Sequence, residues 1–156
     1  MKRYQVSPAL AAAVMHFAPK YVVLDDAPST FEEIRAYRKE HGVYAVWSGG
    51  SEQTIWPTPG HNYAFRALHD GIHDRFGHSL TIYGEQATAR DTEKYLRRVA
   101  PHLTEEDYRA MWFEVVGQVL YEAHHGEFPQ DQAAFIGACM RNGSPLLNYV
   151  IQSRKY

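Results

Sequence analysis

Residues typical of helix ends divide most of the chain into helical segments. They constrain its fold more than any other feature of the sequence. From residue 61 onward, segments of helical composition end repeatedly at a glycine or just before a proline, as helices do. In one of them, Thr104 and Asp107 form a capping pair at the start, and Gly126 closes the segment. The sequence therefore predicts a mainly α, single-domain helical bundle over 1–156, with helices over 61–77, 84–100, 103–126, 128–143 and 144–156.

The N-terminal third adds a small extended element to this bundle. Residues 20–28, KYVVLDDAP, and 43–50, VYAVWSGG, are short apolar runs that end in turn residues, which is typical of strands. Residues 51–60 contain two prolines close together and are predicted to form an irregular connection.

Two further helices are expected in this third. Over 29–42, Ser29 and Glu32 have the spacing of a capping box, and Gly42 stands at the expected C-terminus. Near the start, Ser7 and Pro8 indicate a helix N-terminus, so the following ALAAAVMHFAP is interpreted as a short amphipathic helix rather than a signal peptide.

Composition limits the functional classes. The chain is 45% hydrophobic with a net charge of −2, which gives no electrostatic footprint for nucleic acid. No apolar run approaches the roughly 18 residues of a spanning helix. The single cysteine, Cys139, excludes an internal disulfide and a four-cysteine zinc site, and its small-residue context predicts a buried thiol. A cytoplasmic location and a small-molecule substrate are expected, and the oligomeric state stays open.

A histidine pair carries the clearest chemical signal. His69 and His73 are i and i+4 in a predicted helix, so their imidazoles lie on one face and can share a metal ion. Asp70 stands where zincins have a glutamate, so the usual general base of such proteases is missing. Glu85 opens the next predicted helix and could return over the pair. Two imidazoles with carboxylates suit zinc, iron or manganese, although a pair in a histidine-rich chain also arises by chance.

A polar stripe interrupts an apolar helix later in the chain. Glu114 and Gln118 are i and i+4 among Met111, Trp112, Phe113, Val115, Val116, Val119 and Leu120. One interpretation is a solvent-facing stripe on an amphipathic helix. The other is that the stripe faces the histidine pair, with Glu114 as a further acid of the site. Arg66, one turn before Asp70, is expected to pair with that carboxylate or with an anionic substrate group.

Residues 66–85 resemble the metal-binding family required for coenzyme Q biosynthesis. Its signature of His-Asp, two residues, His, eleven residues and Glu fits His69, Asp70, His73 and Glu85, with Arg66, Gly77 and Gly84 also at matching places. The resemblance implies a mainly helical protein that binds a metal through these residues, and scaffold or quinone-ring decarboxylation roles. The segment NYAFRALHDGIH is also similar to one in small uncharacterised bacteriophage and bacterial proteins.

The first expectation is a metal-dependent lyase or hydrolase with Asp70, Glu114 and Arg66 as catalytic residues. Two alternatives to it remain. In an HD-type phosphohydrolase acting on nucleotides, His69 and Asp70 would be joined by an earlier histidine, His61, and by a later aspartate that the sequence does not single out from Asp91, Asp107 and Asp131. In a non-enzymatic interaction protein, the metal would be structural.

Overall fold

The computed structural model describes residues 2–142 and Tyr156. Within this part of the chain, the elements in order are α1 Pro8–Phe17, β1 Tyr21–Leu24, α2 Phe31–His41, β2 Tyr44–Trp47, α3 Pro59–Phe76, α4 Ile82–Val99, α5 Glu105–Trp112, a π-helical turn Phe113–Gly117, α6 Gln118–His125 and α7 Gln132–Asn142. The fold is mainly helical with a small sheet near the N-terminus, which confirms the predicted class. The helix predicted over 144–156 lies outside the described residues, except for Tyr156.

The two strands form a parallel pair joined by the crossover helix α2. Tyr21 lies opposite Tyr44, and the register continues to Leu24 opposite Trp47. β2 packs on α3 and buries Ala45 and Val46. The sheet therefore ends with Trp47 beside the helix that carries the histidine pair.

Helix α2 is capped one residue later than expected. Thr30, not Ser29, is the N-cap, and its hydroxyl accepts a hydrogen bond from the Glu33 backbone. The Glu33 carboxylate accepts in return from the backbone N–H groups of Thr30 and Ser29. The predicted Ser29–Glu32 box is wrong because Thr30 and Glu33 offer the same spacing one position on. Gly42 closes the helix in the left-handed conformation, as predicted, with φ 74°.

The helix with the histidine pair starts earlier than predicted. Thr58 caps α3 and Pro59 occupies its first turn, so the predicted irregular connection ends before residue 59. Proline is tolerated there because the first N–H groups of a helix have no intrahelical partner. Gly77 ends α3 with φ 70°.

The long helix predicted over 103–126 is interrupted. Thr104 and Asp107 form the expected capping box and Gly126 ends the run, but Phe113–Gly117 forms a π-helical turn between α5 and α6. A π turn holds an extra residue, so α6 is rotated relative to a continuous α-helix. Glu114 lies in this turn.

The hydrophobic core lies between α1, α4, α7 and the π-helical region. The largest fully buried apolar side chains come from these elements, from α6 and β2, and from the loop before α3: Tyr121, Phe135, Leu10, Ile55, Leu96, Ile136, Val14, Val46 and Val116. Cys139 is buried in α7 as predicted, and burial raises its pKa to about 12. Among the described residues, no helix is both long and apolar enough to cross a membrane.

Replacing Leu96 by alanine tests whether α4 is held by this core. Leu96 is fully buried, so Leu96→Ala should lower the free energy of unfolding by about 2–5 kcal/mol through lost burial and a residual cavity. Urea denaturation measures the change. The control is Met15→Ala, whose side chain is 48% exposed and which should cost much less. Equal losses for the two variants would contradict this description of the core.

Candidate metal centre

Three side-chain atoms converge between α3 and α4. His69 Nε2 lies 3.0 Å from His73 Nε2 and 3.1 Å from Glu85 Oε2, and His73 Nε2 lies 3.3 Å from the same oxygen. Of the described residues, these are the ones whose ligand atoms form a group that could hold a metal ion. The predicted return of Glu85 over the histidine pair is thus present in the structure.

The size of this triangle fits a transition-metal ion. Two ligand atoms that each lie about 2.1 Å from one ion, at bond angles of about 90–110°, are about 3.0–3.4 Å apart. The three observed distances fall in this range. Three protein ligands of the types His, His and Glu are typical of catalytic zinc and non-haem iron sites, which keep coordination positions open.

The backbone fixes the orientation of His73. Its Nδ1 lies 2.9 Å from the carbonyl oxygen of His78 and 3.2 Å from the hydroxyl of Thr88. A carbonyl only accepts hydrogen bonds, so in a neutral imidazole Nδ1 carries the proton and the Nε2 lone pair is left for a metal ion at the triangle. A carbonyl partner on the far nitrogen is the usual arrangement for a metal-binding histidine.

His69 is held differently. Its Nδ1 is a buried nitrogen without a hydrogen-bond partner among the described residues. The ring packs against Phe65, whose ring stacks on Trp56 at 5.0 Å between centroids. Packing rather than hydrogen bonding therefore orients this imidazole, and its Nε2 alone is engaged with polar groups.

Glu85 reaches the histidines because α4 starts close to the loop that follows α3. Thr81 caps α4, and the next residues bring Glu85 into its first turn. A Cβ on Gly84 would overlap the carbonyl of Ser79, so only glycine allows the loop to pass this close. Both backbone groups of the neighbouring His78 bond to His73 on α3. The His78 N–H donates to the His73 carbonyl, and the His78 carbonyl accepts from His73 Nδ1.

The charges of Glu85 and His69 at the triangle stabilise each other. Burial disfavours the ionised carboxylate of Glu85, but hydrogen bonds and charge from His69 and His73 outweigh it and lower its pKa to about 2. Burial acts to lower the pKa of His69, but the hydrogen bond and the charge of Glu85 have the larger combined effect, so the pKa of His69 is raised above its usual 6.5. The negative Glu85 carboxylate thus favours a proton on His69, and a bound metal ion would take the place of that positive charge.

Asp70 lies next to this group and is not part of it. The clustered ligand atoms belong to His69, His73 and Glu85. Asp70 instead lines a neighbouring cavity, where burial raises the pKa of its carboxyl to about 6 against the opposing charges of His69 and His73. In this position the carboxylate is available to accept a proton near neutral pH.

Arg66 does not make the ion pair expected with Asp70. Its Nη1 donates to the carbonyls of Trp47 and Gly49, at 2.6 and 2.8 Å, and its Nη2 donates to Gly50. The guanidinium also lies over the Trp47 ring at 5.7 Å. The backbone carbonyls at the end of β2 and in the turn that follows it bind the guanidinium in place of the carboxylate one turn away. Burial lowers the pKa of Arg66.

The polar stripe faces the interior, so its solvent-facing interpretation is wrong. Glu114 and Gln118 are 4% and 7% exposed. Glu114 accepts hydrogen bonds from Trp56 Nε1 at 3.2 Å and from Gln118 Nε2 at 2.9 Å. Burial raises its pKa to about 7, although these bonds and the charges of Arg66 and His69 act in the opposite direction.

A cavity of about 680 Å³ joins these groups. Its polar wall includes two members of the triangle, His69 and Glu85, together with Arg66, Asn62, Asp70, Glu114 and Gln118. Its apolar wall includes Ile34, Val46, Trp47, Phe65, Leu80, Val115, Val119 and Phe128. The cavity is large enough for a small molecule.

Some residues that shape the site were not predicted from the sequence. Trp56 bonds to Glu114 across 58 residues, and no local pattern indicates such a contact. The His78 contribution comes from its backbone, which the residue type does not reveal. Thr88 could have been found, because it follows Glu85 by three positions and therefore shares its helix face.

The additional histidine and aspartate that an HD-type phosphohydrolase would require are engaged in other hydrogen bonds and ion pairs. His61 lies in the first turn of α3 with its Nδ1 2.8 Å from the Thr58 hydroxyl. Asp91 pairs with His78 and Lys94. The other two candidates are also bound away from the site: Asp107 caps α5 and accepts from Ser7, and Asp131 pairs with Arg3.

Substituting Gly84 tests the role of the α3–α4 loop. Gly84→Ala should displace Ser79 and, with it, the His78 carbonyl that orients His73, because the added methyl overlaps backbone that cannot rotate away. We expect metal affinity to fall by about 10 to 100-fold, the usual effect of losing a group that orients a ligand. Gly60→Ala is the control, since its Cβ meets the Thr58 hydroxyl at an ordinary 3.6 Å. Zinc titration against a competing chelator measures both. Unchanged affinity in Gly84→Ala would contradict the proposed role of the loop.

Metal affinity should also depend on pH. The His69 imidazole must be neutral to bind an ion, so affinity should fall by about tenfold per pH unit once the pH is below the pKa of that imidazole. Because the pKa of His69 is raised, the fall should begin above pH 6.5. Glu85, with a pKa of about 2, stays ionised throughout. Chelator competition between about pH 8 and pH 5 measures the profile, and a flat profile would contradict imidazole ligation.

Comparisons with known proteins give no assignment. No family model matches the chain, and no curated protein or solved structure is significantly similar to it.

Proposed function

We propose that this protein is a metal-dependent enzyme that acts on a small molecule bound in the cavity beside His69, His73 and Glu85. The triangle of ligand atoms at 3.0–3.3 Å carries the proposal. Its donor set of two imidazoles and one carboxylate suits zinc, iron or manganese. Two of the three ligands also line the cavity, so a substrate there would lie next to the ion.

The residues around the triangle supply acid–base groups. When bound, the metal would act as a Lewis acid that polarises a substrate oxygen or lowers the pKa of a water molecule. Asp70, with a pKa of about 6, is mainly ionised at neutral pH and would accept the proton. Glu114, with a pKa of about 7, holds a proton of its own in part of the molecules and would donate that proton to a leaving group, while the proton taken by Asp70 passes to solvent after the reaction.

The other polar residues position these groups. Trp56 and Gln118 fix both oxygens of the Glu114 carboxyl group. Arg66 is anchored to the backbone at the end of β2, where its charge acts mainly on Glu114. We therefore assign Arg66 a positioning and electrostatic role rather than contact with the reacting atoms.

The reaction type is either hydrolysis or lyase chemistry. Asp70 beside three metal ligands favours the activation of water, as in zinc hydrolases. The resemblance of residues 66–85 to the coenzyme Q family favours a lyase, since quinone-ring decarboxylation is a role assigned to that family. Substrate turnover that consumes water, or that releases carbon dioxide, distinguishes the two.

The ligand set is tested by measuring the metal content of matched variants. Wild-type protein prepared without chelators should hold about one zinc, iron or manganese ion per chain by mass spectrometry. His73→Ala and Glu85→Ala should each lose far more than the roughly 10 to 100-fold in affinity that is lost when only a group that orients a ligand is removed. His61→Ala is the control, because its imidazole is bonded to Thr58 two turns away and should leave the metal in place.

Each contrary result identifies a different error. Wild-type protein that takes up none of the three metals would overturn the proposal. Loss of metal in His61→Ala with retention in Glu85→Ala would favour the phosphohydrolase, which phosphate release from nucleotides would confirm. If chelation unfolds the protein and no substrate is turned over, the metal is structural.

A further inference from the structure

The charge of the cavity limits what it can bind. Four carboxylates line it, from Glu52, Asp70, Glu85 and Glu114, against a single guanidinium, from Arg66. A divalent ion at the triangle and Arg66 together supply three positive charges, so the formal charge of the lining is negative while all four carboxylates are ionised and zero when Glu114 holds its proton. An anionic substrate would meet this excess at close range and in a partly desolvated space, where charge repulsion is poorly screened.

Arg66 is poorly placed to reverse this preference. Three backbone carbonyls bind its terminal nitrogens, and the Trp47 ring covers one face of its guanidinium. Its charge is already matched by Glu114 and Asp70. A bidentate grip on a phosphate or carboxylate would require it to leave these partners.

The remaining wall fits an apolar body. Phe65 and Val115 lie deep in the cavity and are buried. At its mouth, Trp47, Leu80 and Phe128 are 53%, 39% and 49% exposed. Large exposed apolar side chains around a concave, partly polar site indicate a ligand that brings apolar surface of its own.

We propose that the substrate is a small organic cation, an amine with an apolar or aromatic body, whose ammonium group lies between the carboxylates of Asp70 and Glu114. Its apolar body lies against Phe65, Val115 and Phe128. Carboxylates and aromatic faces are the two groups that proteins use to bind ammonium ions. This assignment of substrate class rests on the proposed function, because it places the ligand in the cavity next to the metal.

Three probes with one apolar body and different charges test the preference. They are 2-phenylethylamine, 2-phenylethanol and 2-phenylethanesulfonate, and the sulfonate is chosen because it is a poor metal ligand. Isothermal titration calorimetry at low salt gives each Kd, on metal-loaded and metal-free protein. We expect the amine to bind at least about tenfold more tightly than the alcohol, and the sulfonate to bind least, because a desolvated charge pair adds to the shared apolar contact.

Three variants locate the binding. Asp70→Asn and Glu114→Gln each remove one charge with little change of shape, and either should reduce the preference for the amine over the alcohol by about tenfold. Glu40→Gln is the control, since its side chain is 75% exposed on α2 and does not line the cavity. If Glu114→Gln does not fold, Asp70→Asn still decides the question.

The outcomes separate this inference from the proposed function. An amine that does not bind, or a sulfonate that binds as tightly as the amine, overturns the assignment of substrate class while the metal site stands. A preference that survives in Asp70→Asn, and in Glu114→Gln where that variant folds, also overturns it, because the cation is then held elsewhere. Protein that takes up no metal but prefers the amine contradicts the proposed enzyme and leaves a cation-binding cavity.

Discussion

The close packing of the α3–α4 loop against the start of α4 is the constraint on which the site depends. The loop passes so near to Gly84 that no side chain fits there. This approach places the His78 carbonyl on His73 and brings Glu85 over the histidine pair. One steric condition therefore sets both the ligand geometry and the protonated nitrogen of a ligand. The three clustered side-chain atoms are only as well placed as this short loop.

Local sequence patterns predicted the parts of the molecule that local physics controls. The i, i+4 spacing of His69 and His73 determines a shared face in any helix, and the glycine-punctuated loop allowed Glu85 to return. Helix ends at Gly42 and Gly126 follow from the left-handed conformation that glycine favours. These features need no knowledge of distant residues.

Contacts between distant segments could not be read in this way. The partners of Arg66 are carbonyls at the end of β2, and they became available only because β2 packs on α3. The hydrogen bond from Trp56 to Glu114 depends on the same tertiary packing. The direction of the Glu114–Gln118 stripe was left open for a similar reason, since a polar stripe in an apolar helix is compatible with solvent or with a buried site. The π-helical turn had no local signal that separated it from a regular helix.

That turn has a consequence for the evolution of the chain. A π-helical turn is equivalent to one residue inserted into an α-helix, and each residue corresponds to about 100° of helix rotation. A homologue lacking one residue within Phe113–Gly117 would have a continuous helix, and the face on one side of the deletion would turn away from the cavity. Gln118 would then no longer lie beside Glu114 in the present way. Among relatives of this chain, a gap of one residue here should therefore accompany a change in the chemistry of the cavity, even where His69, His73 and Glu85 are kept.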